Sequence, residues 1–197
     1  VATDARPDEV ERVVRGWADQ VWLQGQRFGT VGCQKDDTRI EITTFRAEVY
    51  RPESRKPEVA FADDIETDLS RRDFTINAMA LRLPDPELVD PFDGAADLAG
   101  KRLRTPLAPE VSFLDDPLRL LRAVRFEDEL GFRMDERTET ILRASAPLVT
   151  RPAGERVLAE LGRLSARGFR RLDEVGLLAP LRGELDERLE AFDAPEF

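Results

Sequence analysis

Histidine is absent from the 197 residues, and cysteine occurs once, as Cys33. The chain therefore has no His-based triad, His general base or His-ligated zinc site. A single cysteine also excludes an internal disulfide, and its position in the run FGTVGC (28–33) predicts a small buried strand residue, not a nucleophile. Any metal must be held by oxygen ligands, which favours magnesium or a similar hard cation.

Long apolar runs and a charged-then-apolar leader are also lacking. The sequence therefore predicts neither a membrane span nor a membrane partner, and the expected location is the cytoplasm. Lysine occurs 3 times against 27 arginines, and the net charge is −10. That charge argues against a generally basic nucleic-acid-binding coat, although it does not exclude a local arginine cluster. With 41% hydrophobic and 36% charged residues, the chain is globular.

The run DDPLRLLRAVRF (115–126) sets three arginines at every third position after two aspartates. At roughly 100° per residue, Arg119, Arg122 and Arg125 lie within about a third of a helix circumference. Guanidinium groups are permanently charged forks of donors that suit carboxylates, phosphates and nucleobase edges. The alternative is a solvated face held by Asp–Arg pairs three or four residues apart. The spacing alone leaves both interpretations open.

The first part of the chain predicts a helix followed by a β-hairpin. Apolar residues recur at helical spacing over 7–21, and β-type runs over 27–33 and 38–46 are joined by a turn. In the second strand, Glu41 faces away from its isoleucine neighbours. A carboxylate there belongs either to an exposed face or to a cleft. Residues 51–64 are polar, contain two prolines and predict a mobile loop.

The run DLSRRDFTINAMAL (68–81) predicts a short apolar helix with its own cap. Ser70 followed three residues later by Asp73 resembles a capping box with Asp in place of Glu. Asn77 would then lie inside an apolar helix, where it needs a specific partner.

Beyond a proline-containing connector the sequence predicts only helices, punctuated by glycine and proline. Their expected ranges are 113–129, 135–146, 154–165, 169–178 and 185–192. A β-containing first part followed by a helical second part is an α+β layout, with a boundary near Pro106.

An ordered series of motifs resembles one known family. The motifs RRDFTINAMA (71–80) and DDPLR (115–119), the latter continuing as RAVRF (122–126), are similar to those of the class II tRNA nucleotidyltransferase and bacterial poly(A) polymerase family. Shorter matches are FGTV (28–31), EITTFR (41–46), VDPFDG (89–94) and ER (155–156). Several motifs in the family's order are far more specific than any one of them.

The resemblance implies a template-independent enzyme that adds CMP and AMP from CTP and ATP to the 3′ end of tRNA. It implies a partial nucleotidyltransferase head with a small mixed or antiparallel sheet over 1–108, a helical nucleotide-selecting neck over 109–166, and the beginning of a helical body over 167–197. No oligomeric state is implied.

The resemblance assigns base recognition to Asp116 and Arg119. Cytosine and adenine each offer an exocyclic amine beside a ring-nitrogen acceptor, and a carboxylate next to a guanidinium is complementary to both. Guanine and uracil would turn a carbonyl oxygen towards the carboxylate, which leaves polar groups unpaired. Pro117 raises another expectation, that the Asp116 side chain caps backbone amides.

Other nucleotide contacts follow from the same resemblance. Arg72, Arg122 and Arg125 are expected to contact the nucleotide or its phosphates. Asp73 and Asn77 are expected to shape the ribose pocket.

The family's metal site is expected to be incomplete here. By resemblance, Glu41 is the third catalytic carboxylate and a ligand for Mg²⁺. The family's glycine-rich motif and its Asp-x-Asp pair, the main metal ligands, have no counterpart in these residues. The resemblance therefore implies a chain truncated at both ends and inactive by itself.

Several alternatives remain open at this point. CC-only addition, A-only addition and poly(A) tailing use nearly the same head and neck. A non-catalytic nucleotide-binding or RNA-binding module would carry the same motifs without the Asp-x-Asp pair. A purely structural interpretation treats all the arginines as a salt-bridged surface.

Overall fold

The computed structural model describes residues 1–49 and 58–183. The chain divides into two compact units, Val1–Arg71 and Arg72–Phe197. The fold is α+β, as predicted from the sequence. The expected boundary near residue 108 does not coincide with this division and stays a prediction.

A four-stranded mixed sheet forms the centre of the first unit. In chain order, the elements of this unit are β1 (Ala2–Thr3), α1 (Pro7–Val14), β2 (Gln20–Trp22), β3 (Thr30–Lys35), β4 (Thr38–Thr44), β5 (Arg46–Val49), β6 (Glu58–Phe61) and α2 (Ile65–Ser70). Strands β1 to β4 form the sheet, and β5 and β6 form a separate pair. The strand order is β1-β4-β3-β2, with β1 parallel to β4 and the other pairs antiparallel. The hairpin predicted from the two β-type runs is confirmed.

Alternation along β3 and β4 separates an apolar face from a polar face. Val31 and Cys33 are fully buried and pack with Val10 and Val14 of α1. Successive strand residues point to opposite faces, so Glu41 and its same-face neighbours lie on the other side of the sheet from α1.

The predicted helix over 7–21 is too long. Helix α1 ends at Val14, and Val21 lies in strand β2, where it pairs with Cys33 of β3. Gly16 follows the helix end, where glycine disfavours helix continuation. The backbone of β2 is instead satisfied by β3, which no local pattern in 15–22 indicates.

Part of the predicted loop over 51–64 is wrong as well. Residues 58–61 form β6, which pairs antiparallel with β5. The remaining positions of interest, 51–57, lie outside the described residues.

The second unit begins with a small antiparallel pair and continues as packed helices. Its elements are β7 (Ala80–Arg82), β8 (Glu87–Val89), α3 (Gly94–Ala99), β9 (Arg102–Leu103), α4 (Pro109–Asp115), α5 (Leu118–Leu130), β10 (Arg133–Met134), α6 (Glu136–Ala144), α7 (Gly154–Leu161) and α8 (Ala166–Glu174). Residues 178–183 are helical, and the helix predicted over 185–192 lies outside the described residues. The sequence predicted only helices beyond the proline-containing connector, and this was wrong at β10, which pairs in parallel with β9.

Helix α5 forms the centre of the second unit's core. Leu120, Leu121 and Val124 are fully buried, and they belong to one cluster with Phe74 and Phe113. Side chains three and four positions apart share one face of a helix, so the apolar residues of α5 pack inward together.

The capping box predicted at Ser70 is not formed. Ser70 ends α2, whose N-cap is Asp64, and only a single 3₁₀ turn (Thr75–Asn77) precedes β7. The Asp73 carboxylate accepts from the Phe74 amide at 2.9 Å and is otherwise bound to side chains. Asn77 is exposed, so the expectation of an internal helical asparagine was wrong.

The helix predicted over 113–129 is broken at Asp116 and Pro117. Asp116 adopts φ −136° and ψ 95° and ends α4. Proline lacks an amide hydrogen and disfavours helical geometry at the residue before it, which accounts for the break. The break separates α4 from the arginine-bearing helix α5.

Candidate nucleotide-binding site

The predicted site residues lie in both units. Glu41 belongs to the first unit, and the seven others belong to the second.

Asp73 and Arg122 form the best-defined contact of the site. Arg122 donates to Asp73 Oδ2 from Nε at 2.9 Å and from Nη2 at 2.5 Å. Asn77 Nδ2 donates to Asp73 Oδ1 at 3.1 Å. Three residues that the sequence placed around one nucleotide are thus joined by hydrogen bonds.

Ion pairing determines the direction of the pKa shifts of Asp73 and Arg122. Burial opposes ionisation of Asp73, but Arg122 and the bond from Asn77 outweigh it, so the pKa of Asp73 lies below its usual value. Burial likewise acts against the charge of Arg122, and Asp73 with Glu160 overcomes it, so the pKa of Arg122 is raised. Both groups are charged at neutral pH.

Glu160 of α7 contacts two of the three arginines of α5, Arg122 and Arg125. Its Oε2 accepts from Arg125 Nε at 2.5 Å, and its Oε1 lies 3.5 Å from Arg122 Nη1. Arg125 also donates to Glu129 at 2.5 Å, and only 3% of its side chain is exposed. Arg122 retains 31% exposure. Arg122 and Arg125 therefore bind carboxylates of the protein in this structure.

Asp116 and Arg119 have different surroundings. Asp116 Oδ1 accepts from the Leu118 amide at 3.2 Å, as expected for a cap next to Pro117, and Oδ2 accepts from Arg156 Nη2 at 3.1 Å. Its side chain is 34% exposed. Arg119 is buried, and its Nη1 donates to Ser112 Oγ at 2.8 Å. One carboxylate edge beside the break is thus accessible, with a fixed guanidinium three residues further on.

Glu41 is exposed on the polar face of the sheet. Among residues 1–49 and 58–183, no three Asp, Glu, His or Cys side chains are grouped so that they could hold a metal ion. Mg²⁺ is bound through oxygen ligands in near-octahedral geometry, and one exposed carboxylate does not make such a site. The described residues therefore do not form a complete magnesium centre.

Arg72 is half-buried next to Asp73 in the sequence. The partners that sequence reasoning missed are Glu160, Ser112 and Glu129, and it gave Arg156 no role. Arg156 and Glu160 are four residues apart, so they share one face of α7. That spacing is a usable signal, but it does not indicate which arginines or carboxylates the face meets.

Residues 1–49 and 58–183 contain no helix with the length and apolar composition that a membrane span requires.

Known proteins match this chain along most of its length. A profile of the Poly A polymerase head domain matches residues 1–104, and a profile named "Probable RNA and SrmB-binding site of polymerase A" matches residues 131–189. The CCA-adding enzyme of Bacillus subtilis is 37% identical over 203 residues, which cover 100% of this chain and 50% of that protein.

Two solved structures show the same likeness in three dimensions. The Bacillus stearothermophilus CCA-adding enzyme in complex with CTP has a TM-score of 0.78 at 34% identity, covering 89% of this chain and 42% of that one. The Thermotoga maritima CCA-adding enzyme complexed with tRNA has a TM-score of 0.72 at 30% identity, covering 91% and 42%.

The chain spans about half the length of the relatives it matches. The head-domain profile nevertheless covers more than half of the 197 residues, and the likeness extends through both units. The family resemblance inferred from the motifs is thus confirmed, and the chain belongs to the Poly A polymerase head domain family.

Proposed function

We propose that this chain is the nucleotide-selecting part of an enzyme that adds CMP and AMP to the 3′ end of tRNA. CTP and ATP are the donors, and no nucleic-acid template is used. The observation that carries the proposal is the likeness to a CTP-bound CCA-adding enzyme over 89% of the chain. The relative bound to tRNA supports the choice of RNA substrate.

Asp116 and Arg119 are the proposed base-recognition pair. The exocyclic amine of cytosine or adenine donates to the accessible Asp116 carboxylate, next to or in place of Arg156, which now lies 3.1 Å from Oδ2. Arg119 donates to the ring nitrogen from a position fixed by Ser112. A site matched to these groups rejects uracil and guanine because their carbonyl oxygens would leave the Asp116 carboxylate without a donor.

Arg122 is the proposed main phosphate contact, together with Arg72. Asp73 uses only part of the Arg122 guanidinium, which has five N–H donors and remains about one-third exposed. Arg125 is enclosed by two carboxylates, and its proposed contribution passes through Glu160, which it shares with Arg122.

Asp73 and Asn77 are the proposed ribose contacts. Asn77 donates its amide to Asp73, which leaves the Asn77 carbonyl oxygen to accept from a ribose hydroxyl. The pair thereby orients the sugar between the base and the phosphates.

We also propose that the complete protein requires Mg²⁺ and that Glu41 supplies one oxygen ligand. The cation would neutralise charge on the triphosphate. The proposed substrate agrees with the cytoplasmic location expected from the sequence.

The test uses the complete gene product, magnesium, each NTP separately, and tRNAs that lack the terminal A, CA or CCA. CTP should be incorporated on the two shorter tRNAs and ATP on the tRNA that lacks only A. The Arg119→Ala variant should lose selectivity between CTP and UTP by about 5-fold to 150-fold, since a good base contact is worth about 1–3 kcal/mol.

Arg137→Ala is the matched control, because Arg137 is 67% exposed and forms an exposed ion pair with Glu110 at 3.3 Å. Its CTP selectivity should equal that of the wild type. Equal use of UTP and CTP by the wild type, or unchanged selectivity in Arg119→Ala, contradicts the base-recognition proposal.

Poly(A) addition is the second candidate, favoured by the name of the matching head-domain profile. It predicts repeated AMP addition to RNA and no CTP use in the same assay. Nucleotide binding without any incorporation would instead favour the non-catalytic binding module.

A further inference from the structure

The polar face of the four-stranded sheet carries a tryptophan in line with Glu41. Trp22 of β2 pairs with Gly32 of β3, and Gly32 pairs with Glu41 of β4. Residues directly opposite each other on neighbouring strands point to the same face. Trp22 and Glu41 therefore share a face, separated by two strand spacings or about 10 Å of backbone.

Gly32 gives the Trp22 indole its place. A Cβ on Gly32 would overlap the indole ring, and Gly32 is buried although it lies on the polar face. The indole therefore lies across β3. No other residue type would let the ring approach the backbone so closely.

Arg39 covers the same indole. Its guanidinium carbon lies 4.6 Å from the Trp22 ring centroid, a distance at which the cation is attracted to the π face. Arg39 is exposed and precedes Glu41 by two residues, so the two share a face about 7 Å apart. Unlike Arg122 and Arg125, it has no carboxylate within ion-pair distance among residues 1–49 and 58–183.

We propose that Trp22 and Arg39 form a stacking platform for the last unpaired nucleotide of the RNA acceptor strand, beside Glu41. Aromatic rings and guanidinium planes both stack on bases of single-stranded RNA. The positive charge of Arg39 also suits the RNA backbone. The identity of this occupant rests on the proposed function, because that reaction needs a 3′ end next to the catalytic carboxylate.

Sequence tolerance favours a stacking contact here. The terminal base of the acceptor strand changes after each nucleotide is added. Every base has a π face, so stacking holds different bases without hydrogen-bond recognition. A platform of this kind serves each addition step equally.

The experiment measures binding of 5′-labelled tRNAs that lack CCA or CA, by fluorescence anisotropy without NTP, to the complete gene product. Trp22→Leu and Arg39→Gln should each weaken binding by about 10-fold, within the range known for stacked bases. Trp22→Phe keeps an aromatic ring and should retain most of the affinity. The KM for CTP should stay within about twofold, while the KM for RNA rises by the same factor as the dissociation constant.

Trp17→Leu and Arg15→Gln are the matched controls. Arg15 caps the end of α1 and Trp17 lies just beyond it, and α1 packs against the face of the sheet opposite Glu41. Trp17 is 42% exposed. Both variants should bind RNA like the wild type. Trp22→Leu leaves empty space over Gly32 and can disturb the sheet, whereas Arg39→Gln changes only an exposed side chain. The Arg39→Gln result therefore tests the platform without that disturbance.

The outcomes separate the platform from the proposed function. Wild-type RNA affinity in both Trp22→Leu and Arg39→Gln, with normal nucleotide addition, overturns the platform alone. RNA binding that depends on both residues, in a protein that adds no nucleotide, supports the platform and overturns the proposed function.

Discussion

At Asp73, burial and ion pairing act in opposite directions on one carboxylate. Burial raises its pKa, whereas Arg122 and Asn77 lower it by a greater amount. A carboxyl group whose pKa is lower in the folded state stabilises the fold above its unfolded pKa of about 3.9. That contribution is lost as the pH falls through the folded value.

The Asp73→Asn variant should therefore unfold at lower urea concentration than the wild type at pH 7. We expect a loss of about 1–3 kcal/mol, because Arg122 loses a charged partner while keeping Glu160. The difference should shrink as the pH is lowered from 5 towards 2. Urea titrations at several pH values measure the difference, and Asp85→Asn is the control because Asp85 is exposed. A difference that is constant with pH contradicts the linkage.

At the same scale, sequence spacing identified the arginines but not Glu129 or Glu160 as their partners. Arg125 pairs with Glu129 four residues later, but its side chain is only 3% exposed, so this pair does not belong to a solvated face. Arg122 instead binds Asp73, 49 positions earlier, and Glu160, 38 positions later. Helical periodicity orders residues on one element, and it carries no information about which distant carboxylate packs against them.

Among the elements, α7 is joined to α5 by Glu160. The carboxylate is 11% exposed and accepts from two arginines, one of which is nearly fully buried. Removing one member of a buried ion pair leaves the other charge uncompensated, which costs about 3–5 kcal/mol when no other partner exists.

Glu160→Gln should destabilise the second unit by about 2–3 kcal/mol. The cost lies at or below the low end of the range for an uncompensated buried charge, because Arg125 keeps Glu129 as a partner. The far-UV CD signal during urea unfolding measures the change. Glu110→Gln is the control, since its pair with Arg137 is exposed, and a far smaller change is expected there. Equal stability of the two variants would show that Glu160 does not hold α7 to α5.

Element types followed from the sequence where one strong local pattern acts, and failed where a tertiary partner decides. The hairpin predicted from the alternating runs over 27–33 and 38–46 is confirmed, with its strands at Thr30–Lys35 and Thr38–Thr44. The helix over 7–21 was overextended because pairing with β3 turns residues 20–22 into a strand. The apolar pattern continues through Pro117 and predicts a single helix, whereas the proline breaks the helix at that position.

In the whole molecule, the described residues form two hydrophobic clusters of unequal size, one in each unit. The cluster of the first unit has four buried members, including Cys33, whereas that of the second unit has 17. Apolar burial is the main favourable contribution to folding, so the smaller cluster gives its unit less stability.

Cys33 allows this inequality to be measured, because it is the only thiol in the 197 residues and is fully buried. In increasing urea, the thiol should become reactive before the helical signal at 222 nm is lost, since most described helices belong to the second unit. Pulse labelling with a thiol reagent and far-UV CD on the same samples give the two midpoints. Coincident midpoints would show one cooperative unit, whereas an earlier thiol transition would show that the sheet bearing Glu41, Trp22 and Arg39 opens while the arginine helix remains folded.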